Sequence, residues 1–267
     1  MSKAKSTDQT KEKDPIELNR EIAYVGEIGK KRRDFCIDYI EKKQEELRQI
    51  RTSQLRAITE NHEYPSCHDG CPNCCYLYFQ ASLQECEAAV YYLYENPDKL
   101  DIFLNNYRPW RKKLKDNGDI FKECARLWYG FRAEGAKPEA KKAFEDAATR
   151  YQQQILLCPF VNNDGSCIIH EVRPYLCADT VCTSPEEDCH PKSGKTPKYY
   201  KTKTPALFDK SFYFGEMDGY VFAFFPITVY DILEGGYHTL AEMTGIEDLK
   251  KAAMSQPEVK AIIENLP

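Results

Sequence analysis

The chain has 267 residues, a formal net charge of −5, and 30% charged against 42% hydrophobic residues. This balance fits a soluble, helix-rich protein of one large or two small domains, and the acidic charge argues against a general nucleic-acid binder. The longest largely apolar run, Tyr220–Tyr230, contains Pro226 and is too short to span a bilayer; with a polar N-terminus lacking a signal-like apolar segment, a cytoplasmic location without membrane or nucleic-acid partners is expected.

Residues 1–14 are charged and small and read as a disordered tail. From Pro15 to about Asn61 the pattern is helical. An apolar stripe runs through Ile16, Ile22, Val25 and Ile28 and continues through Phe35, Ile37, Ile40, Leu47, Ile50 and Leu55. Gly26 and Gly29 mark a break between two helices. This N-terminal helical region, 15–62, is a candidate docking surface for a protein partner. Its basic run, Lys30 to Arg33, reads as a solvated helix face.

A cysteine-cluster region follows at 63–205. Cys67, Cys71, Cys74 and Cys75 stand close together beside Pro65, Gly70 and Pro72, which makes this stretch a loop or knuckle. Ser82-Leu-Gln-Glu85 is a capping box that opens a helix to about Glu95. Asn96-Pro97 starts another, to about Asp116. Two more are predicted over 119–133 and 138–157, the last running directly into Cys158-Pro159. Residues 158–205 lack periodicity and read as an irregular segment. Beyond them, 206–267 should add a hairpin pairing Leu207–Phe214 with Tyr220–Phe225 and short helices over Ile227–Leu233 and near Leu240 and Leu249. The expected fold is mostly α: a helical domain with an irregular cysteine-rich, metal-binding loop layer and a small β-hairpin, its C-terminal part packing on the same domain.

Twelve cysteines in this chain fall below the density of a disulfide scaffold, and in a reducing compartment clustered thiols more often ligate metal. Cys71-Pro-Asn-Cys74 has the spacing that lets two sulfurs face one ion. The second cluster runs through Cys158-Pro-Phe, Cys167, Cys177 and Cys182, with Cys189 beyond. The candidate ligands are Cys67, Cys71, Cys74, Cys75, Cys158, Cys167, Cys177 and Cys182. Cys74 and Cys75 are adjacent, so their side chains should diverge. Either Cys74 alone is a ligand and Cys75 is a small buried hydrophobe, or the two serve different metals. Cys36, Cys86 and Cys124 lie in helical patterns and read as core filling. Arg173 carries a fixed charge near the thiolates, as either a counter-charge or an ordinary ion-pair partner. His68 and His190 flank cysteines and have the chemistry to ligate zinc, although a lone histidine is more often a bystander.

These pieces, in this order, resemble the YkgJ-type cysteine-cluster family, described as zinc- or iron-chelating and named for a CxxCxxCC motif. The resemblance spans about 67–182 and rests on Cys67, Cys71-Pro-Asn-Cys74-Cys75, Cys158-Pro-Phe, Cys167-Ile-Ile-His-Glu and Arg173-Pro-Tyr-Leu-Cys177. It departs from the family in having three residues between Cys67 and Cys71, and in His170 where tyrosine is common. The resemblance implies metal binding without a defined reaction. The flagellin lysine methylase carries a similar cluster, which implies a protein-lysine methyltransferase as an alternative. A structural zinc module for protein–protein contact is another. An iron–sulfur cluster is expected over zinc, because eight clustered cysteines exceed the four that one structural zinc requires; two zinc ions would use the same surplus. Ser193-Gly-Lys-Thr196 imitates the end of a phosphate-binding loop but lacks its first glycine, since position 189 is Cys189. No dinucleotide, zincin or deaminase signature is present.

Overall fold

The computed structural model describes residues 14–68, 70–132, 137–195, 197–200, 211–217 and 221–265. The expected tail before residue 14, and residues 207–210 and 218–220 of the expected hairpin, lie outside this range. Among the described residues the fold is mostly helical, with an irregular cysteine-rich layer and three small two-stranded antiparallel sheets.

Helix α1 (Pro15–Ile22) starts on Asp14, whose carboxylate accepts from the Ile16 amide. The break falls at 23–25, and the long α2 (Gly26–Glu60) begins on Gly26 at φ +72°. A Cβ on Gly26 would lie 2.5 Å from the Gln256 amide oxygen, which itself accepts from the Ile28 amide. The glycine therefore lets a distant side chain cap the helix. Strand β1 (Gln80–Ser82) leads into α3 (Leu83–Glu95) through the expected capping box: Ser82 N–H donates to Glu85 at 2.8 Å, and Glu85 N–H donates to the Ser82 hydroxyl at 3.2 Å. Buried on nearly all sides, α3 is the central helix of the body. Helices α4 (Pro97–Asp116), α5 (Ile120–Arg132) and α6 (Pro138–Gln152) follow.

Helix α6 ends before the expected residue 157. The chain turns through Ile155 at φ +53°, so Cys158 does not sit at a helix C-terminus. The physical reason is the Cys158 amide, which donates to the Cys75 carbonyl at 2.9 Å instead of to a helical carbonyl.

The irregular layer contains only short elements: α7 (Tyr175–Ala178), β2 (Val181–Cys182), α8 (Glu186–Cys189) and β3 (Tyr199–Tyr200), with β2 paired to β3. Strands β4 (Ser211–Phe212) and β5 (Gly215–Glu216) form a tight hairpin. Among the described residues the expected longer pairing does not occur. Strand β6 (Phe222–Phe224) pairs with β1, which puts Phe224 against Gln80. There the Phe224 ring stacks on Tyr78, with centroids 4.6 Å apart, and meets Trp110, Phe121 and Tyr151. Burial of that ring favours the distant partner over a local turn. Helices α9 (Phe225–Gly235), α10 (Tyr237–Thr244), α11 (Leu249–Met254) and α12 (Pro257–Glu264) close the body.

One hydrophobic core draws residues from Ile16 at one end of the chain to Ala253 near the other. Cys36, Cys86 and Cys124 are fully buried within helices. The basic run divides: Lys30, Lys31 and Arg33 are exposed, whereas Arg32 is buried. Arg32 makes a two-point ion pair with the buried Glu87 of α3 and faces the rings of Tyr24 and Tyr237. Arg32, Lys43 and Gln54 recur every 11 residues, about three turns, and so share one face. Lys43 pairs with Glu85 at 3.3 Å and donates to the Val172 carbonyl; Gln54 donates to Asp179. No helix of the described residues is long and apolar enough to cross a membrane.

Candidate metal centre

Three segments bring the thiols together. Cys67–Cys75 ends in a 3-10 turn over Asn73–Tyr76. Residues 158–169 form a compact loop, with Val161 bridged to Cys167 and Asn106 of α4 donating to the Pro159 and Val161 carbonyls. Gly165, at φ +86°, lies so close to the first segment that a Cβ would fall 2.6 Å from the Gly70 carbonyl oxygen. The third segment runs from His170 through α7 and α8. Its register is set by Glu85, which accepts from the Tyr175 amide at 2.7 Å while serving the α3 cap and Lys43. One carboxylate thus ties α2, α3 and the turn bearing Cys177.

The segments enclose two adjoining cavities. The inner one, of about 380 Å³, is lined by Cys71, Cys74, Cys75, Cys158, Cys167 and Cys177, and its opposite wall is apolar, with Leu77, Phe79, Phe160, Phe224 and Phe225. The outer one, of about 260 Å³, is lined by Cys67, Cys71, Cys74, Cys177, Cys182 and Cys189. His68, His170 and Arg173 line both.

Within the inner cavity the thiols act on one another. Burial pushes Cys177 well above the usual thiol range, and Cys158, Cys74 and Cys167 add to it. Burial pushes Cys158 to about 12, again with Cys167 and Cys74 contributing; burial likewise raises Cys167. Cys74 is lowered to about 7, first by a hydrogen bond from Cys75 and, against burial, by Arg173. Cys75 is correspondingly raised, as the donor. The two adjacent thiols thus act on one another, and Cys75, half-buried, lines the inner cavity beside Cys74. Both lie in the 3-10 turn over Asn73–Tyr76.

Arg173 lowers Cys74, Cys167 and Cys177. Its Nε is buried with no hydrogen-bond partner among the described residues. A buried donor in that condition calls for an acceptor or an anionic group.

Cys182, expected among the same ligands, belongs to the outer cavity only and is disulfide-paired with Cys189. Strand β2, paired with β3, places Cys182 opposite Tyr199 at this outer cavity. Cys67 is likewise on the outer side, where its thiol, raised by burial, accepts from the Cys182 amide at 3.1 Å. His68 meets Glu186 at 3.1 Å, and its ring nitrogen, the Cys71 sulfur and a Glu186 oxygen all lie within 4.8 Å of one another. His190 lines neither cavity; it packs against Tyr76 and accepts from the Lys192 amide. Sequence reasoning missed Glu186 and Tyr199. Glu186 stands three residues before Cys189, a helical spacing that was its only signal. Tyr199, raised to about 12 chiefly by burial, offered none.

No family model, curated protein or solved structure matches this chain.

Proposed function

We propose that this chain is a cysteine-cluster metalloprotein whose inner cavity holds an iron–sulfur cluster on Cys74, Cys158, Cys167 and Cys177. The observation that carries the reading is the convergence of these thiols, from three separated segments, around one cavity that also contains the buried Arg173 Nε, unpartnered among the described residues. Four thiolates and bridging sulfides leave a net negative charge, which Arg173 would offset. Spacing supports a cluster over a single zinc. Zinc–sulfur bonds of about 2.3 Å put the sulfurs of one tetrahedron about 3.8 Å apart. Among the described residues, the one group of three ligand atoms within 4.8 Å of each other is His68, Cys71 and Glu186, none of the four inner thiols. The reading agrees with what the YkgJ-type resemblance implies. Ten free thiols suit a reducing, cytoplasmic compartment.

The test is metal and acid-labile sulfide analysis with a visible spectrum on protein purified without oxygen. Brown protein with iron and sulfide, bleached in Cys158→Ser/Cys177→Ser, is the expected result. Colourless protein whose inner thiols hold only zinc would overturn it.

A second reading, a methyltransferase similar to the flagellin lysine methylase, is favoured by one observation: the apolar wall leaves room beside the thiols for a small molecule. Calorimetry with S-adenosylmethionine should then show binding that Phe224→Ala or Phe225→Ala weakens; no heat at millimolar ligand would remove this reading.

A further inference from the structure

We infer that the outer cavity is a binding site for an oxyanion, the carboxylate or phosphate group of a small polar molecule, held between Arg51 and Arg173. The two arginines reach it from separate elements. Arg51 stands three residues before Gln54 on α2, about one helical turn. Gln54 donates to the carbonyl and the carboxylate of Asp179, which follows α7. Arg173 lies just before α7. The Gln54–Asp179 contact therefore brings this turn of α2 to the wall that Arg173 also reaches, and both arginines line the cavity.

Their lack of partners is the first argument. Neither guanidinium has an ion-pair partner among the described residues. The Arg173 Nε is buried and unpartnered, and so is the hydroxyl of Tyr199, a third residue of the same wall. Buried donors without acceptors mark a place where a further group binds. A guanidinium only donates, in a fork that matches the two oxygens of a carboxylate or phosphate. Arg173 also faces the inner thiols, but Arg51 and Tyr199 line the outer cavity alone, so a cluster in the inner cavity leaves both unused.

The second argument is the scarcity of acceptors. Among the described residues Glu186 is the one acidic side chain on this wall, and it already meets His68 at 3.1 Å. The Cys182–Cys189 disulfide supplies two sulfurs without charge. The ligand must therefore bring the acceptors. The third argument is room. A cavity of about 260 Å³ is larger than one oxyanion fills, and Asn73 and His170 extend its polar wall, so the anion is one end of a small polar molecule. Cys71, Cys74, Cys177 and His170 line both cavities. A molecule anchored at Arg51 would thus lie beside the inner thiols, and under the cluster reading the outer cavity is the anchor of the substrate. Anion binding itself does not rest on that reading.

The experiment is calorimetry with inorganic phosphate and, separately, with malonate, on the full chain purified without oxygen. Iron and zinc are measured in every sample. Wild type should bind at least one of the two, and the tighter one identifies the group recognised. Arg51→Gln should weaken that binding about tenfold, and Tyr199→Phe about threefold, at unchanged metal content. Arg48→Gln removes the same charge one turn away, where Arg48 is exposed and paired with Glu45, and should leave affinity as it was. No heat from either anion at tens of millimolar would overturn the site. Equal losses in Arg48→Gln and Arg51→Gln would also overturn it, since they would show charge attraction without a site. Metal lost together with anion binding in Arg51→Gln would overturn it too, because the arginine would then be supporting the metal. Binding that depends on Arg51 in a protein carrying no iron would support the site while removing the cluster. Should Arg51→Gln fail to fold, Tyr199→Phe serves, and an unchanged affinity in that variant would count against the site.

Discussion

In the helical body, α2 is fastened to α3 by two buried ion pairs, Arg32–Glu87 and Lys43–Glu85, and aromatic rings stack between other helices of the same body, as Tyr107 does on Tyr230. In the layer between 158 and 200, the regular elements are two-residue strands and four-residue helices. Both regions are dense in polar groups, yet they resolve them differently. The body buries its charges in pairs and covers them with apolar surface. The layer turns its thiols inward, and burial holds most of them protonated and unpaired. The body draws on a large apolar core, whereas elements as short as those of the layer gain little by themselves to offset the ordering of their backbone and lean on the residues, such as Phe160, Ile169 and Val172, that join that core. The contrast teaches that the layer's stability should come from what its sulfurs bind.

Metal removal is the sharpest way to break this comparison. Metal binding to a site that does not exist in the unfolded chain contributes to folding, so removal of the bound metal should open the layer. Hydrogen exchange should show amides of 158–200 losing protection while those of α3 keep theirs. If α3 opened with the layer, the two regions would be one unit.

Next in size is Glu87→Leu, which leaves Arg32 buried without a counter-charge. Breaking a buried pair this way costs about 3–5 kcal/mol. Thermal denaturation should register that loss at unchanged metal content, since Glu87 accepts from Arg32 and from the core thiol Cys36, neither of which is a candidate ligand. Loss of metal in parallel would show that the body dictates the layer.

Glu85→Gln should have a smaller effect, about 1–3 kcal/mol, but on both regions, because Glu85 serves Lys43 and the Tyr175 amide beside Cys177. Both melting temperature and metal affinity should fall. A change confined to stability would sever the link proposed through Tyr175.

The smallest test is pH. Burial raises Cys158 to about 12 and raises Cys167 and Cys177 as well, so in the metal-free protein these groups carry protons that a metal must displace. Affinity should rise with pH, by about tenfold per unit for each proton released. As pH falls through about 7, Cys74 also becomes protonated and the decline should steepen. A chelator-competition titration between pH 6 and 8 measures it; a flat profile would mean the thiols are not the ligands.

The contrast also explains what was legible beforehand. The break near Gly26, the capping box at Ser82–Glu85, proline at the start of α4 and α6, and the core positions of Cys36, Cys86 and Cys124 all follow from local rules, and the structure follows them. Where a residue answers to a distant partner, reading the chain failed. Phe224 left its expected hairpin for β1, because Tyr78 and Trp110 bury it there. The helix before Cys158 stopped early, because the Cys158 amide is bonded to Cys75. Arg32, placed with its basic neighbours in solvent, is buried, because Glu87 of another helix receives it.

The sequence by itself determined the helical class, most helix starts and the identity of the sulfur-bearing residues, since each depends on residues a turn or two away. Only the tertiary structure decided how those sulfurs divide. Cys74, Cys158, Cys167 and Cys177 meet at one cavity, while Cys182 and Cys189 join Cys67 at the other. Spacing along a chain limits which thiols can meet, but the partition depends on strand pairing, on Glu85 and on the close approach of Gly165 to Gly70, all contacts between residues far apart in sequence.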